Sequence, residues 1–153
     1  MSWLELKIPP PVVALCLGAL MWLAAQIVPA IEVSQSLRIG LSLVCVAIGL
    51  FFDLTALIAF LRVKTTPNPL RPLTTSSLVS TGLYRFSRNP MYLGQLLVLL
   101  GWALFLSNIA ALVLTPLFVL YLNRFQIIPE ERALSKLFGA EFTAYKLRVR
   151  RWL

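Results

Sequence analysis

The stretch PMYLGQLLVLLGWALFLSNIAALVLTPLFVLYLNRFQII, residues 90–128, contains two apolar runs separated by a single polar pair, Ser107-Asn108. Each run approaches the roughly 20 apolar residues with which a helix crosses a bilayer. The two residues between them leave room only for a tight turn. We therefore predict membrane helices at 90–106 and 109–128 that form an antiparallel hairpin.

Two further apolar runs precede this hairpin, PVVALCLGALMWLAAQIVPAI at 11–31 and LRIGLSLVCVAIGLFFDLTALIAFL at 37–61. The whole chain is 59% hydrophobic and 13% charged, whereas a soluble domain carries about 25% charged residues. The glycines in these runs are expected to permit close helix packing. The sequence predicts one all-α integral membrane domain over residues 1–153, with four transmembrane helices.

The basic residues indicate an orientation, because Lys and Arg concentrate on the cytoplasmic side of membrane proteins. The loop between the first two spans contains only Glu32 and Arg38 as charged residues. We therefore place the N-terminus, the central loop and the C-terminal tail in the cytoplasm. A net charge of +8 also suits nucleic-acid binding, but these charges flank apolar runs, so we expect no nucleic-acid partner. The basic residues of the loop and the tail are Arg62, Lys64, Arg71, Arg85, Arg88, Arg132, Lys136, Lys146, Arg148, Arg150 and Arg151.

The tail has the pattern of an amphipathic helix over residues 130–148. Its apolar residues recur in steps of three and four, and Pro129 suits a first helical position. We expect this helix to fold over the cytoplasmic mouth of the bundle. The apolar residues of the repeat are Leu134, Leu137, Phe138, Phe142, Tyr145, Val149 and Trp152.

The chain has no histidine and two cysteines, Cys16 and Cys45, which lie in separate apolar runs. Histidine is the usual general base and a common zinc ligand, so we predict no metal site. The estimated depths of the two cysteines differ by about 8 Å at the ~1.5 Å helical rise, which argues against a disulfide.

Polar residues gather at the predicted cytoplasmic mouth, in STGLYRFSRNPMYLG at residues 80–94, in Asn123-Arg124 and in Glu130 to Arg132. Each has an ordinary structural explanation: Asn89 can cap the third helix, and the arginines can anchor it. Together they fit a nucleotide-like ligand, because Gly82 permits close backbone approach and acidic side chains accept bonds from ribose.

TGLYRFSRNPMYLGQLL and the later IPEERALSKLFGAEFTAYKLRVRRWL resemble the isoprenylcysteine carboxyl methyltransferase family and its phospholipid methyltransferase relatives. The resemblance covers about residues 78–153 and implies an integral membrane enzyme that uses S-adenosylmethionine. It implies a short bacterial member, which we expect in the inner membrane.

The resemblance also implies roles for individual residues. The family's arginine-histidine-proline-x-tyrosine motif is Arg88-Asn89-Pro90-Met91-Tyr92 here, so an amide that cannot titrate replaces the histidine. The motif is implied to bind the cofactor, and the residue at Arg148 to meet the acceptor. The cofactor-binding candidates are Gly82, Tyr84, Asn89, Pro90, Tyr92, Glu130 and Glu131.

Methyl transfer needs alignment of the two reactants, and a carboxylate or thiolate acceptor needs no general base. Arginine can orient a carboxylate through paired hydrogen bonds, which makes Arg88, Arg148 and Arg124 catalytic candidates. An amine acceptor has to lose a proton, for which Glu130, Glu131 or Asp53 is the available base. The sequence leaves the acceptor open as a lipophilic carboxylate, thiol or amine.

Asp53 lies well inside the second apolar run, where an ionisable side chain is a candidate functional residue. A structural role facing the bundle, towards Gln95 or Asn123, is the alternative. Two other functions also stay open. Membrane sterol reductases that use NADPH end in a similar segment, which Tyr92 and Gly94 match. Nothing in the helices excludes a small membrane protein without catalysis.

Overall fold

The computed structural model describes residues 4–63, 70 and 72–153. Lys64 and Arg71 of the predicted basic loop lie outside the described residues. Every regular element in the described part is helical, which confirms the all-α prediction. The elements are α1 (Pro10–Ala25), α2 (Gln35–Arg62), two short 3₁₀ turns (Pro72–Thr74 and Gly82–Arg85), α3 (Pro90–Leu106), α4 (Ile109–Leu122), a π-helical segment (Asn123–Ile127) and α5 (Ile128–Arg148).

The first helix is shorter than the predicted span at 11–31, because α1 ends at Ala25. Pro29 has no N–H to continue a helix, and it disfavours helical geometry at Val28. The chain beyond α1 bonds elsewhere: the Ile31 N–H donates to the Ser107 carbonyl at 2.6 Å. The prediction therefore extended α1 too far at its C-terminal end.

Among the described residues, two helices are long and apolar enough to cross a membrane, α2 and the continuous helix Ile109–Arg148. The apolar part of the second one is residues 109–128, which precede the charged Glu130. α1 and α3 are also apolar but have 16 and 17 residues.

Helices α2 and α3 are in backbone contact because glycines face each other across their interface. A Cβ atom on Gly49 would lie 2.6 Å from the Gly94 carbonyl oxygen, and a Cβ on Gly101 would lie 3.0 Å from the Ser42 carbonyl oxygen. Glycine is therefore required at these positions for the observed packing. On the other side of α3, buried side chains of α1, α3 and α4 form the main core, including Met21, Leu99, Ala103, Ala111, Phe118 and Leu122.

The helices alternate in direction, so the connections gather at two ends. At one end, the segment after α1 meets the α3–α4 turn through Ile31, Ser107 and Asn108. At the other end, called the mouth below, the N-terminal segment meets the π-helical segment, where the Leu6 N–H donates to the Phe125 carbonyl at 3.0 Å. The start of α3 and all of α5 are also at the mouth.

Helix α5 bends sharply at Gly139, which has φ 47° and ψ −115°. The prediction of one continuous helix at 130–148 missed this bend, since helical periodicity does not report a glycine with positive φ. The chain reverses there, so that Lys146 Nζ lies 3.4 Å from Ser135 Oγ. We call residues 128–153 the tail hairpin. Its inner side chains Phe142, Tyr145 and Val149 pack together with Leu78, Leu134 and Phe138.

Candidate active site

A cavity of about 380 Å³ lies at the mouth, between the start of α1, the end of α2, the start of α3 and the tail hairpin. Small-molecule sites usually occupy about 300–1,000 Å³. Most of its wall is apolar and aromatic, with a few polar groups. The polar and aromatic residues that line it include Phe60, Tyr84, Arg88, Asn89, Tyr92, Gln95, Glu130, Glu131, Phe142 and Tyr145.

Glu130 is held from two sides just beyond the apolar part of its helix. Tyr92 Oη donates to Glu130 Oε1 at 2.6 Å, and Gln126 Nε2 donates to the same oxygen at 2.8 Å. Burial raises the pKa of Glu130 to about 7, although these two hydrogen bonds act in the opposite direction. Glu130 therefore changes its charge near neutral pH.

Glu131 is in a different environment, because two guanidinium groups enclose it. Arg88 Nη2 contacts Oε1 at 2.7 Å, and Arg151 reaches Oε1 through Nε at 3.1 Å and Oε2 through Nη2 at 2.7 Å. Burial acts to raise the pKa of Glu131, but the bonds from Arg151 and Arg88 outweigh it and hold this pKa below its ordinary value. Of the two neighbouring glutamates, Glu130 and Glu131, Glu131 is thus the one held in the ionised form.

Arg88 joins the start of α3 to the end of the tail hairpin. Its Nη1 donates to the Val149 carbonyl at 2.7 Å and to the Lys146 carbonyl at 3.2 Å. These carbonyls are at the end of α5, where helical carbonyls lack partners within the helix. The Arg88 backbone N–H also donates to the Arg150 carbonyl at 2.9 Å. Arg88 therefore connects the start of α3 to the tail hairpin through three hydrogen bonds to backbone carbonyls.

Asn89 precedes α3 but does not cap it. Its side chain makes no capping bond, and Nδ2 donates to the Arg151 carbonyl at 2.9 Å. Its backbone N–H is bound by Ser87 Oγ at 3.1 Å. The structural explanation of Asn89 as a helix cap is therefore wrong, and the amide belongs to the contact between α3 and the tail.

Tyr84 forms the aromatic wall of the cavity. It is buried, and its ring meets Phe60 edge to face with centroids 5.5 Å apart. Tyr145 Oη donates to the Tyr84 carbonyl at 2.7 Å, which attaches the tail at a second point. Burial, followed by neighbouring Tyr145, Glu130 and Asp53, raises the pKa of the Tyr84 phenol above its ordinary value.

The structure brings six of the predicted site residues to the cavity: Tyr84, Arg88, Asn89, Tyr92, Glu130 and Glu131. Pro90 is buried in the first turn of α3, beside the cavity residues. Gly82 provides the left-handed turn before Tyr84, with φ 60°, but does not line the cavity.

Two of the three predicted catalytic arginines are not brought to the cavity. Arg124 is half exposed and pairs with Glu5 at 3.0 Å, and Glu5 also binds Arg132 at 2.7 Å. Arg148 is exposed on the tail hairpin and does not line the cavity. The bend at Gly139 determines where Arg148 lies, and the linear pattern does not report this bend.

Sequence reasoning missed Arg151, Gln126 and the place of Gln95 in the cavity wall. Arg151 was treated as an anchor in a basic run, and only the reversal at Gly139 shows that it reaches Glu131. Gln126 had a detectable signal, since it lies four residues before Glu130 and so on the same helical face. Within the described residues, no group of three His, Cys, Asp or Glu side chains is close enough to hold a metal ion.

Comparisons with known proteins show one protein family and two individual proteins to which this chain is similar. Residues 37–141 match the family described as Phospholipid methyltransferase. An uncharacterized protein of Haemophilus influenzae is 49% identical over 63 residues, which are 41% of this chain and all of that protein. Protein-S-isoprenylcysteine O-methyltransferase of Saccharomyces cerevisiae is 40% identical over 75 residues, 47% of this chain but only 30% of the yeast protein. No solved structure matches the chain.

Proposed function

We propose that this chain, which belongs to the phospholipid methyltransferase family, transfers a methyl group from S-adenosylmethionine to a lipophilic or amphipathic acceptor at the cytoplasmic membrane interface. One observation carries the proposal. The two segments with family resemblance are far apart in sequence, yet residues of both line one cavity: Tyr84, Arg88, Asn89 and Tyr92 from the first, and Glu130 and Glu131 from the second. These six residues lie within the range that matches the family.

The residues of the cavity fit S-adenosylmethionine by their chemistry. This cofactor supplies a methyl group on a positively charged sulfur, and it also carries ribose hydroxyls and an amino acid moiety. Glu130 uses one carboxylate oxygen for Tyr92 and Gln126, while no described residue donates to the other. Glu130 is therefore our candidate for the ribose hydroxyls. The aromatic groups of Tyr84, Phe142 and Tyr145 favour a cation nearby.

Arg88 is the candidate among the three arginines for contact with a ligand. Its two Nη atoms are engaged with Glu131 and the tail, but Nε is buried without an acceptor among the described residues. A buried donor without a partner is costly unless a ligand completes it. We propose that this N–H meets a carboxylate of the cofactor or the acceptor. For Arg124 and Arg148 we propose no contact with the reacting groups.

We further propose that residues 1–153 form a single domain in a bacterial inner membrane, with four spans. The mouth would then face the cytoplasm, and both termini would be on that side. The alternating helices and the gathering of the N-terminal segment, the start of α3 and the tail at one end support this arrangement. We propose that the tail hairpin closes the cavity as a lid.

A reductase that uses NADPH is the alternative enzyme, and the family match favours the methyltransferase. Calorimetric titration of the detergent-purified protein with S-adenosylhomocysteine and, separately, NADPH distinguishes them. We expect saturable binding of the first alone. Binding of NADPH alone, or of neither ligand by a folded sample, would contradict the proposal.

The same titration tests the role of Glu130. Glu130→Gln removes the charge from a hydrogen-bond acceptor, and such charge-assisted bonds contribute about 1.5–3 kcal/mol, so affinity should fall by about tenfold or more. The matched control is Glu141→Gln, an exposed carboxylate on the same helix, which should leave affinity unchanged. Equal affinities for the two variants would remove Glu130 from the site.

A further inference from the structure

Residues 4–9, which precede α1, bind two successive parts of the long helix 109–148 through Glu5. Glu5 Oε1 lies 3.0 Å from Arg124 Nη1 in the π-helical segment, and Oε2 lies 2.7 Å from Arg132 Nη2 in α5. The Glu5 side chain is only 5% exposed, whereas both arginine side chains are about half exposed. Exposed ion pairs contribute little to stability, but a buried carboxylate is costly unless cations balance its charge. Glu5 is thus a buried link between residues 4–9 and the helix.

The backbone of the same segment supplies a donor that Pro129 lacks. In a regular helix the Phe125 carbonyl accepts from the N–H four residues later, which would be that of Pro129, a residue without an N–H. The Leu6 N–H donates to this carbonyl instead, at 3.0 Å. Leu6 has a φ of 56°, which is costly for a leucine and persists only where the surroundings fix it. The ion pairs and this hydrogen bond together fix residues 4–9 on the helix.

The part of the helix that residues 4–9 contact has an irregular turn. It is π-helical over Asn123–Ile127, and the Ile128 N–H donates to the carbonyl five residues earlier. Such turns are rare and are frequent at functional sites. Gln126 lies in this turn, is 1% exposed, and donates to Glu130 Oε1 at 2.8 Å. The turn therefore determines where the amide of Gln126 meets the carboxylate of Glu130.

The two arginines that bind Glu5 flank this contact. Arg124 precedes Gln126 by two residues, and Arg132 follows Glu130 by two. We propose that Glu5 is a positioning residue, which fixes the π-helical turn and thereby keeps Glu130 in the cavity wall. This inference rests on the proposed function, in which Glu130 binds the cofactor.

The test is calorimetric titration of S-adenosylhomocysteine into the detergent-purified full chain and its variants. Glu5→Gln removes the charge that pairs with both arginines but keeps the shape of the side chain, so affinity should fall by about five- to tenfold. Glu5→Asp keeps the charge on a shorter side chain and should lose less. The matched control is Glu32→Gln, the same change at an exposed glutamate that pairs with no described Lys or Arg, and it should bind like the unaltered protein.

A double-mutant cycle distinguishes the positioning of Glu130 from a general loss of stability. If Glu5 acts through Glu130, Glu5→Gln should cost less than about twofold in a protein that already carries Glu130→Gln. A general effect on the fold would lower affinity by the same factor in both backgrounds and would overturn the inference. Unchanged affinity of Glu5→Gln alone would overturn it as well.

Hydrogen exchange without ligand separates this failure from that of the proposed function. Glu5→Gln should speed exchange in residues 123–132 more than Glu32→Gln does. A protein that binds S-adenosylhomocysteine, but in which Glu5→Gln changes neither affinity nor exchange, keeps the function and loses the inference. A protein that binds no S-adenosylhomocysteine, but in which Glu5→Gln speeds this exchange, loses the proposed function and keeps the role of Glu5 in fixing the turn.

Discussion

Two asparagines precede α-helices in the part of the chain that the structure describes, Asn108 before α4 and Asn89 before α3, and their side chains bind different groups. Asn108 Oδ1 accepts from the Ala110 N–H at 2.9 Å, which caps α4, and Nδ2 donates to the Val28 carbonyl at 2.6 Å. Asn89 makes no cap and binds the Arg151 carbonyl of the tail. Asn108 is fully buried, whereas Asn89 lines the cavity.

The difference separates the two ends of the molecule. At the Asn108 end, the side chain satisfies local backbone groups, as a structural asparagine does. At the mouth, the same residue type leaves the helix uncapped and joins segments 62 residues apart. The mouth thus gives up a local cap for a contact between distant segments beside the cavity, and such a loss of local stability is typical of functional sites.

The largest effect on stability is expected at Asn108. Asn108→Ala removes a cap and leaves the half-buried Val28 carbonyl without its donor, so the free energy of unfolding should fall by about 1–3 kcal/mol. Unfolding by sodium dodecyl sulfate in mixed micelles measures it. Ser34→Ala, which removes the exposed cap of α2, is the matched control and should cost less. Equal losses would show that burial at this end contributes little.

The bend of the tail hairpin should give an intermediate effect. Gly139 has a φ of 47°, and a side chain there is strained although the space around it is open. Gly139→Ala should therefore cost about 1–2 kcal/mol, mainly as faster hydrogen exchange in residues 140–153. Gly40→Ala is the control, because Gly40 is in regular helix with open space and alanine should be neutral or stabilising there. Identical exchange in both variants would contradict the hairpin geometry.

The smallest effect on unfolding is expected at Asn89. Asn89→Ala removes no cap and one bond to the tail, so the free energy of unfolding should change by less than about 1 kcal/mol. The affinity for S-adenosylhomocysteine should fall by about five- to tenfold, because the cavity wall loosens. Calorimetry on Asn89→Ala and Asn108→Ala together sharpens the comparison. If Asn108→Ala lost ligand affinity while Asn89→Ala lost stability, the contrast between the two ends would be reversed.

The sequence predicted α3 to the residue, because proline at its first turn and a polar pair after it mark both ends. It also predicted the all-α class and the residues of both family motifs. It extended α1 too far, since apolar composition outweighed Pro29 in that prediction. The reversal within the tail could not be predicted, because it depends on the backbone conformation of Gly139, which no periodicity reports.

The positions of the three arginines predicted as catalytic also could not be derived from the sequence. The prediction grouped Arg88, Arg124 and Arg148 because arginine can orient a carboxylate through paired hydrogen bonds. The structure separates them: Arg88 binds Glu131, and Arg124 binds Glu5. Which carboxylate each arginine pairs with depends on the reversal of the tail and on the position of the N-terminal segment. Both are features of the tertiary structure.

The central claim, that the cofactor occupies the cavity beneath the tail hairpin, is tested most directly by ultraviolet cross-linking. Radiolabelled S-adenosylmethionine would be irradiated with the purified protein, and the labelled peptides would be mapped. The account predicts labels within residues 84–92 and 130–145, suppressed by excess S-adenosylhomocysteine. Suppressible labelling elsewhere, for example in residues 28–35 at the opposite end, would contradict it.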